Sequence, residues 1–236
     1  MATSTLFIIS LLHTWMNCIS TSHIMKPSTL PKFTAIFIFG DSTVDTGNNN
    51  YINTYLKGNY PPYGLDFSGH IPTGWFSNGK FVPDYLASSL GIKDTIPPFL
   101  NPNLSDNYHR TGVNFASAGS VYDDLTSKLS SSIPLSEQIE LFRSYLEKLE
   151  VTVGEEKAKT IIGGAVVVNI AGTNDFIFNF YDIPTRRLQF NISEYQTFLQ
   201  QSLEKIVMEL YDLGFRNMVI GGLRPIGCLP FHMIKL

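Results

Sequence analysis

Phe39-Gly40-Asp41-Ser42-Thr43-Val44-Asp45-Thr46-Gly47-Asn48-Asn49-Asn50 is the stretch from which the fold follows. Ala35-Ile36-Phe37-Ile38-Phe39 leads into it. That run is too short for a helix and is rich in β-favouring side chains, so it predicts a buried strand. The chain then turns polar at once. A serine just past a buried parallel strand stands where open α/β sheets build their sites. Gly40 lets the chain turn, and the residues after it can open a helix whose free N–H groups favour negative charge. Taken alone, Asp41 and Ser42 read equally as helix caps. A calcium loop fits less well, because the acidic and amide residues do not fall on alternate positions with the required glycine.

Two further stretches have the same shape. Thr111-Gly112-Val113-Asn114-Phe115-Ala116-Ser117-Ala118-Gly119-Ser120 runs from a strand near 113–116 into a small-residue turn. Ala165-Val166-Val167-Val168-Asn169-Ile170 predicts a third strand opening into Ala171-Gly172-Thr173-Asn174-Asp175, and Asn217-Met218-Val219-Ile220-Gly221 a fourth. Helical patterns separate them. Lys80 to Leu90 is amphipathic and stopped by Gly91. Pro134 sits at a first helical turn, followed by Leu135, Ile139, Phe142, Leu146 and Leu149 on one face. Ser193 with Gln196 spells a capping box for a helix that places Tyr195, Leu199, Ile206 and Leu210 on one side and ends at Gly214. Alternating strands and helices predict an α/β fold, a parallel sheet covered on both faces. From Tyr51 to Thr73 the chain is a long surface loop, whose aromatics either pack the loop or face an apolar ligand.

The 236 residues and 44% apolar content allow one domain with a sizeable core. Net charge of −3 and a pI near 5.9, with no block of one sign, give no footprint for nucleic acid. Leu6-Phe7-Ile8-Ile9-Ser10-Leu11-Leu12, followed by Ser20 and Ser22, predicts a secretory signal over residues 1–22, although no Lys or Arg precedes its apolar core. Residues 23–32 read as a linker and 33–236 as the domain. No run is long enough for a membrane helix. Cleavage would leave Cys228 without Cys18; an unpaired thiol in a secreted chain suggests a missing partner or an intermolecular bond, and the commoner alternative is a small buried side chain. Asn103-Leu104-Ser105 and Asn191-Ile192-Ser193 are glycosylation acceptors consistent with secretion.

The blocks around Ser42, Gly119 and Asn174, with Phe76-Ser77-Asn78-Gly79-Lys80 and Leu223-Arg224-Pro225-Ile226-Gly227-Cys228-Leu229-Pro230, resemble in order those of plant-type GDSL esterase/lipases, the SGNH hydrolases. Trp75 departs from that pattern, which usually has arginine there. The resemblance implies a flavodoxin-like three-layer α/β/α sandwich. It implies a serine esterase or lipase acting on small-molecule or lipid esters through an acyl-enzyme, with no metal or organic cofactor. By that resemblance Ser42 is the nucleophile. Gly119 (by its N–H), Asn174 (by its side-chain amide) and the N–H of Ser42 form the oxyanion hole. Glycine suits close approach to a carbonyl, and an amide donor stabilises negative charge without titrating.

The family's Asp-x-x-His block, its last strand and its closing helix fall beyond the fourth strand and are not found before Leu236. The reading therefore expects a truncated domain with an open sheet edge and weak or no activity. Asp106-Asn107-Tyr108-His109 has the right spelling but lies in a loop ahead of the second strand, at the wrong end of the sheet. His232 is on the correct side but has no aspartate near it. The competing expectation is a secreted protein that keeps the pocket and binds a ligand or partner without catalysis.

Overall fold

The computed structural model describes residues 32–125, 127 and 131–229. The signal expected over residues 1–22, the linker expected over 23–32 except for Lys32, and His232 lie outside the described residues. The sheet is parallel. Strand β1 (Ile36–Gly40) pairs with β2 (Val166–Ile170), and β2 with β3 (Asn217–Ile220), in the register Ile38↔Val168↔Val219. On the free side of β1 the segment 113–117 runs alongside in parallel: Ile38 N–H donates to Val113 O, Phe115 N–H to Ile38 O and Ser117 N–H to Gly40 O. Only Asn114 makes a full bridge there, to Ile38 and to Pro98, so the expected second strand is a short strand-like edge. The spatial order is thus 113–117, β1, β2, β3, a doubly wound arrangement in which the chain changes direction of growth at β1.

Alternation along β1 sorts its side chains into two cores. Phe37 and Phe39 face α3 (Leu135–Val153), α4 (Glu155–Gly163) and α5 (Ile192–Asp212). There they meet Leu135, Ile139, Phe142, Tyr145, Leu210 and Phe215, all buried. Ile36 and Ile38 face the other way with Val166 and Val168, against Ala87 of α1 (Val82–Ser89). Helices therefore cover both faces, giving the three-layer α/β/α sandwich. The first core is aromatic. Phe142 lies edge-on to Phe37 at 5.6 Å and tilted against Phe215 at 4.8 Å, distances at which ring quadrupoles attract.

Some elements differ from expectation. The capping box of α5 is Asn191 with Glu194: Glu194 N–H donates to Asn191 Oδ1 at 3.0 Å and Asn191 N–H to the Glu194 carboxylate at 2.8 Å. It lies two residues before the Ser193–Gln196 pair, because asparagine caps as well as serine and the acidic partner sits better in the first turn. Residues Asp106–Thr111, expected as loop, form helix α2. Helix α4 was not foreseen; Gly154, with φ 85°, separates it from α3. Asp175–Asp182 winds as a π-helix, a form often found beside functional positions. Cys228 is exposed, not buried, because it sits in a 3₁₀ turn (Ile226–Cys228) beyond β3.

Candidate active site

Each block singled out from the sequence ends at the same rim. Ser42 follows β1, Gly119 follows the 113–117 edge and Asn174 follows β2, so three neighbouring strand ends deliver them. All three line one cleft of about 580 Å³. Ser42 and Asn174 are half-buried and Gly119 is buried. The N–H groups of Ser42 and Gly119 donate to no other group among the described residues. Asn174 Nδ2 donates one hydrogen to Ser120 O at 3.0 Å, which fixes the amide beside the Gly119 turn and leaves its second hydrogen for a ligand.

The turn carrying Ser42 is made by its neighbours. Gly40 has φ 146°, and a Cβ there would stand 2.2 Å from Ile170 O, so only glycine lets β1 leave the sheet this close to β2. Asp41 N–H donates to that same carbonyl at 3.0 Å. Asp41 Oδ1 then accepts from Thr43 N–H at 2.9 Å and Thr43 Oγ1 at 2.7 Å, closing a turn with Ser42 between them. No α-helix opens here, contrary to the expected cap. The chain goes through this turn into a 3₁₀ turn at Asn48–Tyr51.

Behind the turn, buried polar side chains replace the sheet bonds that the loops lack. Asp45 accepts from the N–H groups of Gly47 (2.7 Å), Asn48 (2.9 Å) and Ala118 (2.9 Å). Burial pushes its carboxyl up to about 7, against the pull of these donors. Asn48 Nδ2 donates to Asn114 O and Ala116 O, and Asn49 Nδ2 to Leu56 O and Ala118 O. Gln138 reaches across from α3: its Oε1 accepts Gly40 N–H at 2.9 Å, and its Nε2 donates to Gly40 O at 2.9 Å and to Ser120 Oγ. These bonds hold the Ser42 and Gly119 turns at a fixed separation.

Asn174 has its own support. The next residue, Asp175, is buried and accepts from Tyr122 N–H at 3.1 Å and Asp123 N–H at 2.8 Å; burial pushes its carboxyl up to about 8. Asp123 in turn takes a two-pronged ion pair from Arg186, at 2.6 and 2.7 Å. Sequence reasoning missed Asp45, Gln138, Asp175 and Arg186. A detectable signal existed for one: Gln138 falls on the apolar stripe of α3, three residues after Leu135, where an unpaired amide would be costly.

The walls are largely apolar, from Leu56, Tyr63, Phe76, Phe81, Val82 and Phe178. Trp75 stands behind them, stacked on Phe81 at 6.1 Å and edge-on to Phe67 at 4.8 Å. Of the long-loop aromatics, Tyr63 both packs on Phe76 and faces the cleft, whereas Tyr55 and Tyr60 are exposed. Two cations, Lys80 and Arg224, complete the lining, and no histidine or acidic side chain lines the cleft among the described residues. His109 lies elsewhere. Helix α2 ends at Gly112, which packs on Ile36 at the amino end of β1, and His109 rests on Tyr145 of α3.

Three neighbouring strand ends of an α/β sandwich thus meet at one cleft, and comparison shows which family shares this chain's sequence. The GDSL-like Lipase/Acylhydrolase family model matches residues 36–235. The chain is 53% identical over 201 residues to the GDSL esterase/lipase At1g06990 of Arabidopsis thaliana, covering 85% of this chain and 56% of that protein. It is 52% identical over 235 residues to the GDSL esterase/lipase At2g31550 of the same plant, covering 99% and 65%. The chain belongs to the GDSL-like lipase/acylhydrolase family. It spans between 56% and 65% of the length of these two relatives.

Proposed function

We propose that the cleft hydrolyses carboxylic esters through an acyl-enzyme, with Ser42 as nucleophile and the N–H groups of Ser42 and Gly119 and the Asn174 amide as oxyanion donors. One observation carries the reading: a hydroxyl and three donors, supplied by three adjacent strand ends, line a single cleft, and the two backbone N–H groups are unengaged there. The Ser42 oxygen attacks the ester carbonyl, the oxyanion settles on the donors, and the alcohol leaves. Water then releases the acid. Losing one such donor typically costs about 3 kcal/mol in the barrier. The base that takes the Ser42 proton comes from outside the described cleft residues, so weak turnover is expected of the 236 residues alone. Apolar walls fit the acyl chain. Secretion belongs to the same reading, supported by the apolar core at Leu6–Leu12 and by exposed acceptors at Asn103 and Asn191.

The test is a fluorophosphonate probe on the chain extended by an Asp-x-x-His segment from an Arabidopsis relative. Labelling that disappears in Ser42→Ala is the expected result; an unlabelled extended chain would overturn the assignment. A second reading, a ligand-binding protein without catalysis, is favoured by the lack of a histidine or carboxylate lining the cleft among the described residues. Robust turnover of a short-chain chromogenic ester by residues 32–236 would eliminate it.

A further inference from the structure

We infer that the cleft takes esters carrying an anionic group, carboxylate or phosphate, near the scissile bond, with Lys80 and Arg224 as that group's partners. The inference rests on the ester reading for the reaction but not for the binding. Both cations line the cleft with Ser42, and no acidic side chain lines it among the described residues. Neither cation enters an ion pair among the described residues.

Three carboxylates lie in their neighbourhood, and none pairs with them among the described residues. Asp66 stands against Gly79 and shares a neighbouring pocket with Lys80, outside the cleft lining. Asp84, whose carboxyl feels Lys80, is fully buried and occupied by the N–H groups of Phe81 and Ile96, both at 2.8 Å. Asp41, which feels Arg224, has one oxygen bonded twice by Thr43 and is itself buried; burial pushes it up, and Thr43 and Arg224 pull it back. Lys80 is half-buried and shares the cleft lining with Phe76 and Phe81, so its charge is less screened than that of a fully exposed lysine. The unengaged N–H groups of Ser42 and Gly119 add partial positive charge to the same space. A ligand that fits must present apolar surface to the walls and negative charge to the two side chains. A neutral triglyceride-like ester offers only the first.

The test is calorimetric titration of the 236-residue chain with hexylphosphonate, hexanoate and neutral hexanamide. Both anions are expected to bind more tightly than the amide, and added salt should narrow the gap. Lys80→Gln with Arg224→Gln should weaken the anions by about five- to tenfold, a few-fold per cation, and leave hexanamide unchanged. Lys80→Arg with Arg224→Lys should keep the preference. Whichever anion binds better identifies the phosphate or carboxylate source. Equal binding of hexanamide and the anions, or anion affinity indifferent to the double glutamine variant, would overturn the inference. The calorimetric preference is read without turnover, so loss of the fluorophosphonate result alone strikes only the hydrolase reading.

Discussion

The Asp45 carboxylate accepts the Ala118 N–H at 2.9 Å, so a side chain from the loop after β1 holds the turn that presents Gly119. This bond adds to the pairing of Ser117 with Gly40 and to the Gln138 bridge in keeping the two turns facing each other. Replacing Asp45 by alanine leaves three buried N–H groups without their acceptor, those of Gly47, Asn48 and Ala118. Each such orphan costs about 1–3 kcal/mol. Urea unfolding of Asp45→Ala should therefore show a loss of about 3 kcal/mol or more, and a stability equal to the parent would contradict the network.

The same carboxylate sets a pH dependence. Asp45 rises from 3.8 to about 7 on folding and Asp175 from 3.8 to about 8, both through burial. Between those limits the folded chain holds more protons than the unfolded one, so the contribution of these two groups to stability is fully present below about pH 4 and is lost as pH climbs through 7 and 8. The urea midpoint should be higher at pH 5 than at pH 8.5. Asp175→Asn should flatten the upper part of that slope, whatever it does to stability at one pH.

Gly119 has φ 88°, and a Cβ there would stand 2.5 Å from Leu56 Cδ1. Gly119→Ala combines a left-handed backbone cost of about 1–2 kcal/mol with a clash. Adding Leu56→Ala removes the clash and leaves the backbone cost. Thermal melts of the single and double variants should therefore differ, with the double variant recovering part of the loss unless the cavity it opens costs as much.

Arg186 pairs with Asp123, whose side chain is 3% exposed. Removing the guanidinium strands a buried carboxylate, a change that costs about 3–5 kcal/mol. Because Asp123 N–H also anchors Asp175 beside Asn174, the loss should reach the cleft. Arg186→Gln should lower the melting temperature and weaken hexylphosphonate binding together; an unchanged melt would show the pair to be dispensable.

Strand β3 pairs with β2 on one side, and Val219 and Ile220 are 47% and 38% exposed. Exposed apolar strand edges invite self-association. Val219→Lys should raise the concentration at which the chain stays monomeric in sedimentation, and an unaltered threshold would mean that this edge does not drive association.

The strands were legible because Ile36–Phe39 and Val166–Ile170 are apolar runs bounded by turn residues, and periodicity needs only neighbours in sequence. That Ser42, Gly119 and Asn174 would follow strand ends was legible through their blocks, and they line one cleft. The supports were not legible. Whether Asp45 reaches Ala118, or Gln138 reaches Gly40, depends on how elements far apart in the chain are packed, which local pattern does not encode. The 113–117 edge looked like a full strand because pattern reports apolar spacing and not how many hydrogen bonds a partner accepts. The capping box slipped by two residues, and α4 vanished behind Gly154, because terminal signals are short and several spellings compete for the same turn. Cys228 was misplaced inside because a cysteine's usual burial says nothing of a 3₁₀ turn past the last described strand.

The strand order carries a further consequence for synthesis. Ser42 leaves the ribosome early, yet the amide that faces it sits beyond β2, and β2 lies between β1 and β3. The nascent chain must therefore hold its first turn open until Asn174 has emerged, and contacts this distant in sequence form slowly. The cleft thus comes into being only after β2. Slowing the ribosome between residues 120 and 175 should prolong a state that has a serine turn and no site.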